Sequence, residues 1–216
     1  MQRRFFASSL RKPVGSSSHH CLPAWVAAGL SLVMAFSPVS ALASADARFN
    51  LETHTRVDGV DLVLNGAGQR NLLFLDIYTV ALYLPKKQSD AQIVLKNDLP
   101  RSVRVILSRD ISAEHDIEFL LDGLEANNTR EEMAAIQEPL AHFLRMIRTL
   151  GTVTKGSVVR LDYLPGVGTR VWLNQRLLGN VPGAAFNRSL LKIWLGDQPI
   201  QEGLKKALLG VARDAI

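Results

Sequence analysis

Residues 64–84 run LNGAGQRNLLFLDIYTVALYL, and the fold class turns on this stretch. It opens on Gly66-Ala67-Gly68, places Arg70 two positions later, and continues as an apolar run interrupted by Asp76, Tyr78 and Tyr83. β-branched and aromatic residues mixed with leucine predict a strand of a central sheet. The glycines predict the turn that feeds it, and Pro85-Lys86-Lys87 predicts its end. An arginine at the mouth of an apolar strand, with hydroxyls along it, is the arrangement in this chain that most resembles a site.

Upstream, Asp58-Gly59 predicts a type I′ hairpin turn inside Thr55–Leu64, because that turn needs positive φ at both central positions. At the N-terminus, Arg3, Arg4, Arg11 and Lys12 precede an apolar segment, Ala24–Phe36, too short to span a bilayer comfortably. Pro38 breaks it, and Ala41-Leu42-Ala43 supplies a small-x-small cleavage signal before Ser44. The expectation is a signal peptide over residues 1–43, removed on export to the periplasm, and a single domain over 44–216. An uncleaved N-terminal anchor is the weaker alternative. Cys21 lies before the apolar segment, which argues against a lipid anchor on it.

Removing those four basic residues from the 25 in the chain leaves 21 against 20 acidic ones. A balance of this kind gives no case for a nucleic-acid footprint, which needs a concentrated basic face. Cys21 is the single cysteine and leaves with the signal. The mature chain is then held by its core, without disulfides, thiol chemistry or a cysteine-ligated metal. Without the signal, no stable membrane span is expected.

Downstream, Ser89 or Asp90 caps a short helix over Ala91–Lys96. Ser102–Leu107 alternates polar and apolar residues as a half-buried strand. Ser112 caps a helix ending near Asn127, with Glu114 and Asp116 in the first turn, where they favour the dipole. Thr129-x-x-Glu132 is a capping box, and Pro139 predicts a kink or break near Ile136 in the helix that follows. Ser157–Leu164, Thr169–Leu173 and Arg176–Val181 form a meander with turns at Pro165–Gly168 and Asn174-Gln175. Gly183–Leu195 is helical, and a last helix opens at Pro199 and closes at Gly210. Hairpins outnumber crossovers, so the class is α+β: a mostly antiparallel sheet with helices on one face.

Several chemistries have no support. Gly66-Ala67-Gly68 lacks the third glycine and following helix of a dinucleotide loop. His54, His115 and His142 fit no common metal spacing, no serine sits in GxSxG, and no cofactor motif is present. Arg70 is the candidate, since an arginine fork holds a carboxylate or another oxyanion bidentately. The alternative is a rim arginine paired with Asp76 or solvent. On one regular strand, Arg70, Asp76 and Tyr78 would share a face, opposite Tyr83. Tyr78 is then either a donor to a ligand or a core tyrosine.

The segments LNGAGQR, YTVALYLP, SVRVILSRDIS, KGSVVRLDYLPGVGTRVWLN, FNRSLLKIWLGDQPI and LKKALLG, in this order and spacing, resemble the chalcone isomerase-like family, most nearly its exported bacterial branch. The resemblance covers roughly Val57–Gly210 and implies an open-faced β-sandwich, with a ligand cleft between a large antiparallel sheet and a layer of helices. In the plant isomerases, the arginine of the GxGxR pattern stabilises an oxyanion, which corresponds to Arg70. A strand hydroxyl assists through water, which corresponds to Tyr78, a threonine in those enzymes. Their further tyrosine, on a later helix, has no counterpart between Tyr83 and Tyr163. The resemblance therefore favours the non-catalytic members, which hold fatty acids. It implies a periplasmic protein binding a small amphipathic or aromatic acid with Arg70 and Tyr78. The alternative is an intramolecular lyase or isomerase acting on a chalcone-like enone, and a structural envelope protein is a third reading.

Overall fold

The computed structural model describes residues 49–211. The expected signal segment and its cleavage site lie outside the described residues. Strands β1 (His54–Val57), β2 (Val60–Leu72), β3 (Leu75–Leu84) and β4 (Arg101–Leu107) run as a meander, with helix α1 (Ala91–Lys96) between the last two. An excursion follows, comprising β5 (Ile111–Ser112), α2 (Ala113–Asn127), α3 (Arg130–Ala135), α4 (Gln137–Arg148) and β6 (Thr152–Val153). Strands β7 (Val158–Leu164), β8 (Gly168–Leu173) and β9 (Arg176–Val181) then resume the sheet. Helices α5 (Ala184–Leu195) and α6 (Glu202–Leu208) close the chain.

The seven long strands form one sheet in the order β1-β2-β3-β4-β7-β8-β9, and every neighbouring pair is antiparallel. The short β5 and β6 pair with each other. One face of the sheet carries Tyr78, Val80, Leu82, Val103, Leu161 and Val171 against the helices. The opposite face buries Val57, Leu62, Ala67, Ala81 and Tyr83 beneath Phe49 and Leu51. Phe186 of α5 is fully enclosed and meets Phe143 of α4 at 5.4 Å. Such a pair adds about 0.5–1.5 kcal/mol beyond its area burial and ties those two helices together.

Local sequence chemistry accounts for most element boundaries. Asp58 and Gly59 take φ of 49° and 84°, as the hairpin turn requires. Asp90 and Ser112 cap their helices, and Thr129 and Glu132 form the reciprocal capping box. The break near Pro139 falls at Ile136, between α3 and α4. The last helix begins at Glu202, three residues after Pro199.

The opening stretch departs from expectation in one decisive way. Gly66-Ala67-Gly68 is not a turn; all three residues lie inside β2, and Leu64–Leu84 is a hairpin of two long strands rather than one. The chain reverses at Leu73-Phe74, with Leu73 at φ 55°. The glycines serve close approach instead. A Cβ on Gly66 would lie 2.1 Å from the Ala207 carbonyl oxygen, and one on Gly68 would lie 2.7 Å from Leu204 Cδ1. Helix α6 therefore lies directly on the backbone of β2, a contact only residues without side chains permit.

Candidate ligand-binding site

Because Leu64–Leu84 is a hairpin, its polar residues are distributed by cross-strand pairing. Arg70 of β2 stands directly opposite Tyr78 of β3. Gly66, Gly68 and Arg70 alternate toward the helical layer, so both residues of the pair meet the helices. Asp76 does not join them. It pairs with Asn71 beyond a register shift and accepts a hydrogen bond from Asn71 Nδ2 near the hairpin tip. The shared face of Arg70, Asp76 and Tyr78 is thus corrected to Arg70 and Tyr78 alone. Tyr83 points to the other face, where its hydroxyl donates to the Glu52 carbonyl.

Arg70 and Tyr78 line one end of a cavity of about 100 Å³ between the sheet and helices α2, α4 and α5. Its walls are otherwise mostly apolar, including Leu107, Phe119, Phe143, Ile147 and Leu161. Arg70 is only 9% exposed, yet no carboxylate lies within 4.0 Å of it among the described residues. Its guanidinium is bounded by aromatic faces instead, 4.9 Å from the Phe119 ring centre and 5.7 Å from that of Tyr78. Aromatic faces favour a cation without consuming its N–H donors, so the donors not turned to the Tyr78 hydroxyl remain for an anion.

Tyr78 is buried, and Trp194 Nε1 donates to its hydroxyl at 3.1 Å. A phenol that accepts one hydrogen bond retains its own proton to give. Burial pushes the Tyr78 pKa up, with Trp194 and then the Arg70 charge pulling it back, so the group stays a neutral donor at physiological pH. Arg70 and Tyr78 together present positive charge and an O–H at one end of an apolar space.

Three cavity residues went unrecognised in the sequence. Asp116 had been accounted for as a first-turn carboxylate of α2, yet it also lines the cavity. Surrounding protein pushes its pKa up, while the Arg70 and His115 charges oppose the change. Phe119 lies one turn along from Asp116, so the i, i+3 spacing was the available signal. Trp194 belongs to the apolar face expected of α5, but its hydrogen bond to Tyr78 spans 116 residues and leaves no local trace. Among the described residues no group of three His, Cys, Asp or Glu side chains is arranged to hold a metal ion. No described helix is long and apolar enough to cross a membrane.

Comparison with known proteins bears on the architecture. The sequence pattern of the chalcone isomerase-like family matches residues 43–210. Among solved structures, a fatty-acid binding protein from Arabidopsis thaliana superposes with a TM-score of 0.55 at 17% identity, over 72% of this chain and 89% of that one. Identity at that level establishes a shared fold. No curated protein matches the sequence.

Proposed function

This chain belongs to the chalcone isomerase-like family, and from that premise we propose that it is a non-catalytic periplasmic protein binding a small amphipathic acid, such as a fatty acid, in the cavity headed by Arg70. The observation that carries the reading is a buried arginine that has no carboxylate within 4.0 Å among the described residues and faces a mostly apolar cavity. Leaving a cation so placed is costly unless something anionic completes it. The ligand carboxylate pairs with the guanidinium, Tyr78 donates a second hydrogen bond, and the acyl portion lies along Leu107, Phe143, Ile147 and Leu161. The fatty-acid binding protein of the same fold supports the ligand class.

The cavity of about 100 Å³ is smaller than the ~300–1,000 Å³ of typical ligand pockets. It suits a short acyl chain as it stands, and a longer one requires the helices to part. Export is proposed from the N-terminal pattern; fractionation of expressing cells with mass measurement of the isolated chain tests it. Calorimetric titration with octanoate tests binding, with loss in Arg70→Ala expected. Undetectable binding of fatty and aromatic acids to the wild-type protein, or affinity unchanged in Arg70→Ala, sinks the reading. Turnover of chalcones that is lost in Arg70→Ala would replace it with the lyase alternative.

A further inference from the structure

The β2–β3 tip exposes four consecutive apolar side chains. Leu72, Leu73, Phe74 and Leu75 are 44%, 88%, 99% and 51% exposed, so accessibility peaks at the apex. Scattered single apolar residues on a surface are ordinary, but a contiguous protruding group marks a contact. A side chain as bare as Phe74 belongs to a convex point, with no surrounding surface to close over a flat partner. We propose that this tip inserts into a lipid bilayer and brings the cavity lined by Arg70 and Tyr78 close to its surface.

Charge at the same end of the sheet fits that occupant. Ser108 N–H donates to the Ile77 carbonyl, which brings Arg109 alongside the base of the tip. Lys155 joins the group through its backbone N–H, which donates to Asp110 at 2.7 Å. Arg109 and Lys155 are exposed and make no ion pair among the described residues. Asp76 and Asp110 lie at the same end, and each keeps its negative charge while accepting a hydrogen bond, from Asn71 and from the Lys155 backbone. Charges of both signs therefore ring the base of an apolar apex, a pattern that matches a polar headgroup layer over an acyl interior. Position adds a second argument: the Leu72–Leu75 pair lies two rungs from the Arg70–Tyr78 pair on the same hairpin. A bilayer is where an amphipathic acid resides, and the choice of a bilayer over a protein partner rests to that extent on the reading of the cavity given above.

The test places a reporter on the tip itself. In a Cys21→Ser background, Leu73→Cys is labelled with an environment-sensitive dye and mixed with vesicles containing phosphatidylglycerol. The expected result is a blue shift of the dye, absent from a control label at Lys87→Cys. Adding Phe74→Ser and Leu75→Ser lowers the partition coefficient roughly tenfold or more, given the apolar area withdrawn. No shift with vesicles, an equal shift at the control label, or a shift that grows with protein concentration without lipid overturns the proposal, the last by pointing to a second copy of the chain. Arg70→Ala separates the two readings: it removes octanoate binding and leaves the vesicle-induced shift in place.

Discussion

Arg70 shows at the scale of one residue how a site can oppose the stability of its own fold. A buried guanidinium with no carboxylate in direct contact pays for desolvation and recovers only part of it from the Phe119 and Tyr78 rings and the more distant Asp116 charge. Replacing it with a flexible apolar side chain, Arg70→Met, is expected to stabilise the ligand-free protein by about 1 kcal/mol, a rise of about 2–4 °C in Tm for a chain of this size. Calorimetric melting checks this, and an unchanged or lower Tm contradicts it. Tyr78→Phe goes the other way. It strips the Trp194 N–H of its acceptor inside the core, which costs about 1–3 kcal/mol. Trp194→Phe added to Tyr78→Phe then adds less than its cost alone, because the orphaned donor is gone; denaturant unfolding of the four species of the cycle measures that coupling. Arg70 was legible in the sequence because a charge stands out in an apolar run. Its pairing with Tyr78 was legible only by accident, since the two fall on one face in the expected single strand and also in the observed hairpin.

Between elements, the contact of α6 with β2 is set by two missing side chains. Gly66→Ala drives a methyl group into the Ala207 backbone carbonyl, whereas Gly68→Ala meets the side chains of Leu204 and Ala207. Both are overpacked, at about 1–3 kcal/mol or more each. The expected order is that Gly66→Ala is the worse, and that Ala207→Gly partly rescues Gly68→Ala without helping Gly66→Ala. Equal losses with no selective rescue contradict this account. Glu132 links two other elements, closing the capping box of α3 and meeting Lys192 of α5 at 2.7 Å. The Lys192 hydrogen bond, followed by that from the Thr129 backbone N–H, holds the Glu132 pKa below its ordinary value. Its stabilisation is therefore present above about pH 4.5 and lost as pH falls through the lowered value. Glu132→Gln should lie below wild type at neutral pH by no more than about 1 kcal/mol, since the pair is part-exposed, and converge with it in acid. Caps, turns and the Pro139 break were readable because each is written within four residues. The Gly66–Gly68 turn was misassigned because glycine is equally suited to a turn and to close packing, and the partner that decides between them lies about 140 residues away.

For the molecule as a whole, cavity size is the property that bears on ligand choice. A space of about 100 Å³ admits octanoate with less rearrangement than hexadecanoate. Affinity is expected to stop rising with chain length well before hexadecanoate, and a thermal-shift series from butanoate upward checks it; a steady rise to the longest acid contradicts it. The α+β class was legible because hairpin signals recur along the chain. The cavity was not, because its walls come from both sides of the β4–β7 junction and meet only in three dimensions. That junction has a consequence for how such a protein can diversify. Strands β4 and β7 are neighbours in the sheet, and everything between them leaves the sheet and returns. Ile111, Phe119, Phe143, Ile147, Leu150 and Val153 of the cavity wall all belong to that one contiguous insertion, while Arg70 and Tyr78 belong to the sheet. The anion anchor is thus encoded apart from a large share of the wall that meets the tail, the rest of which comes from β4, β7 and the α5 region, so a single segmental replacement can reshape one side of the cavity while the anchor and the strand register stay as they are.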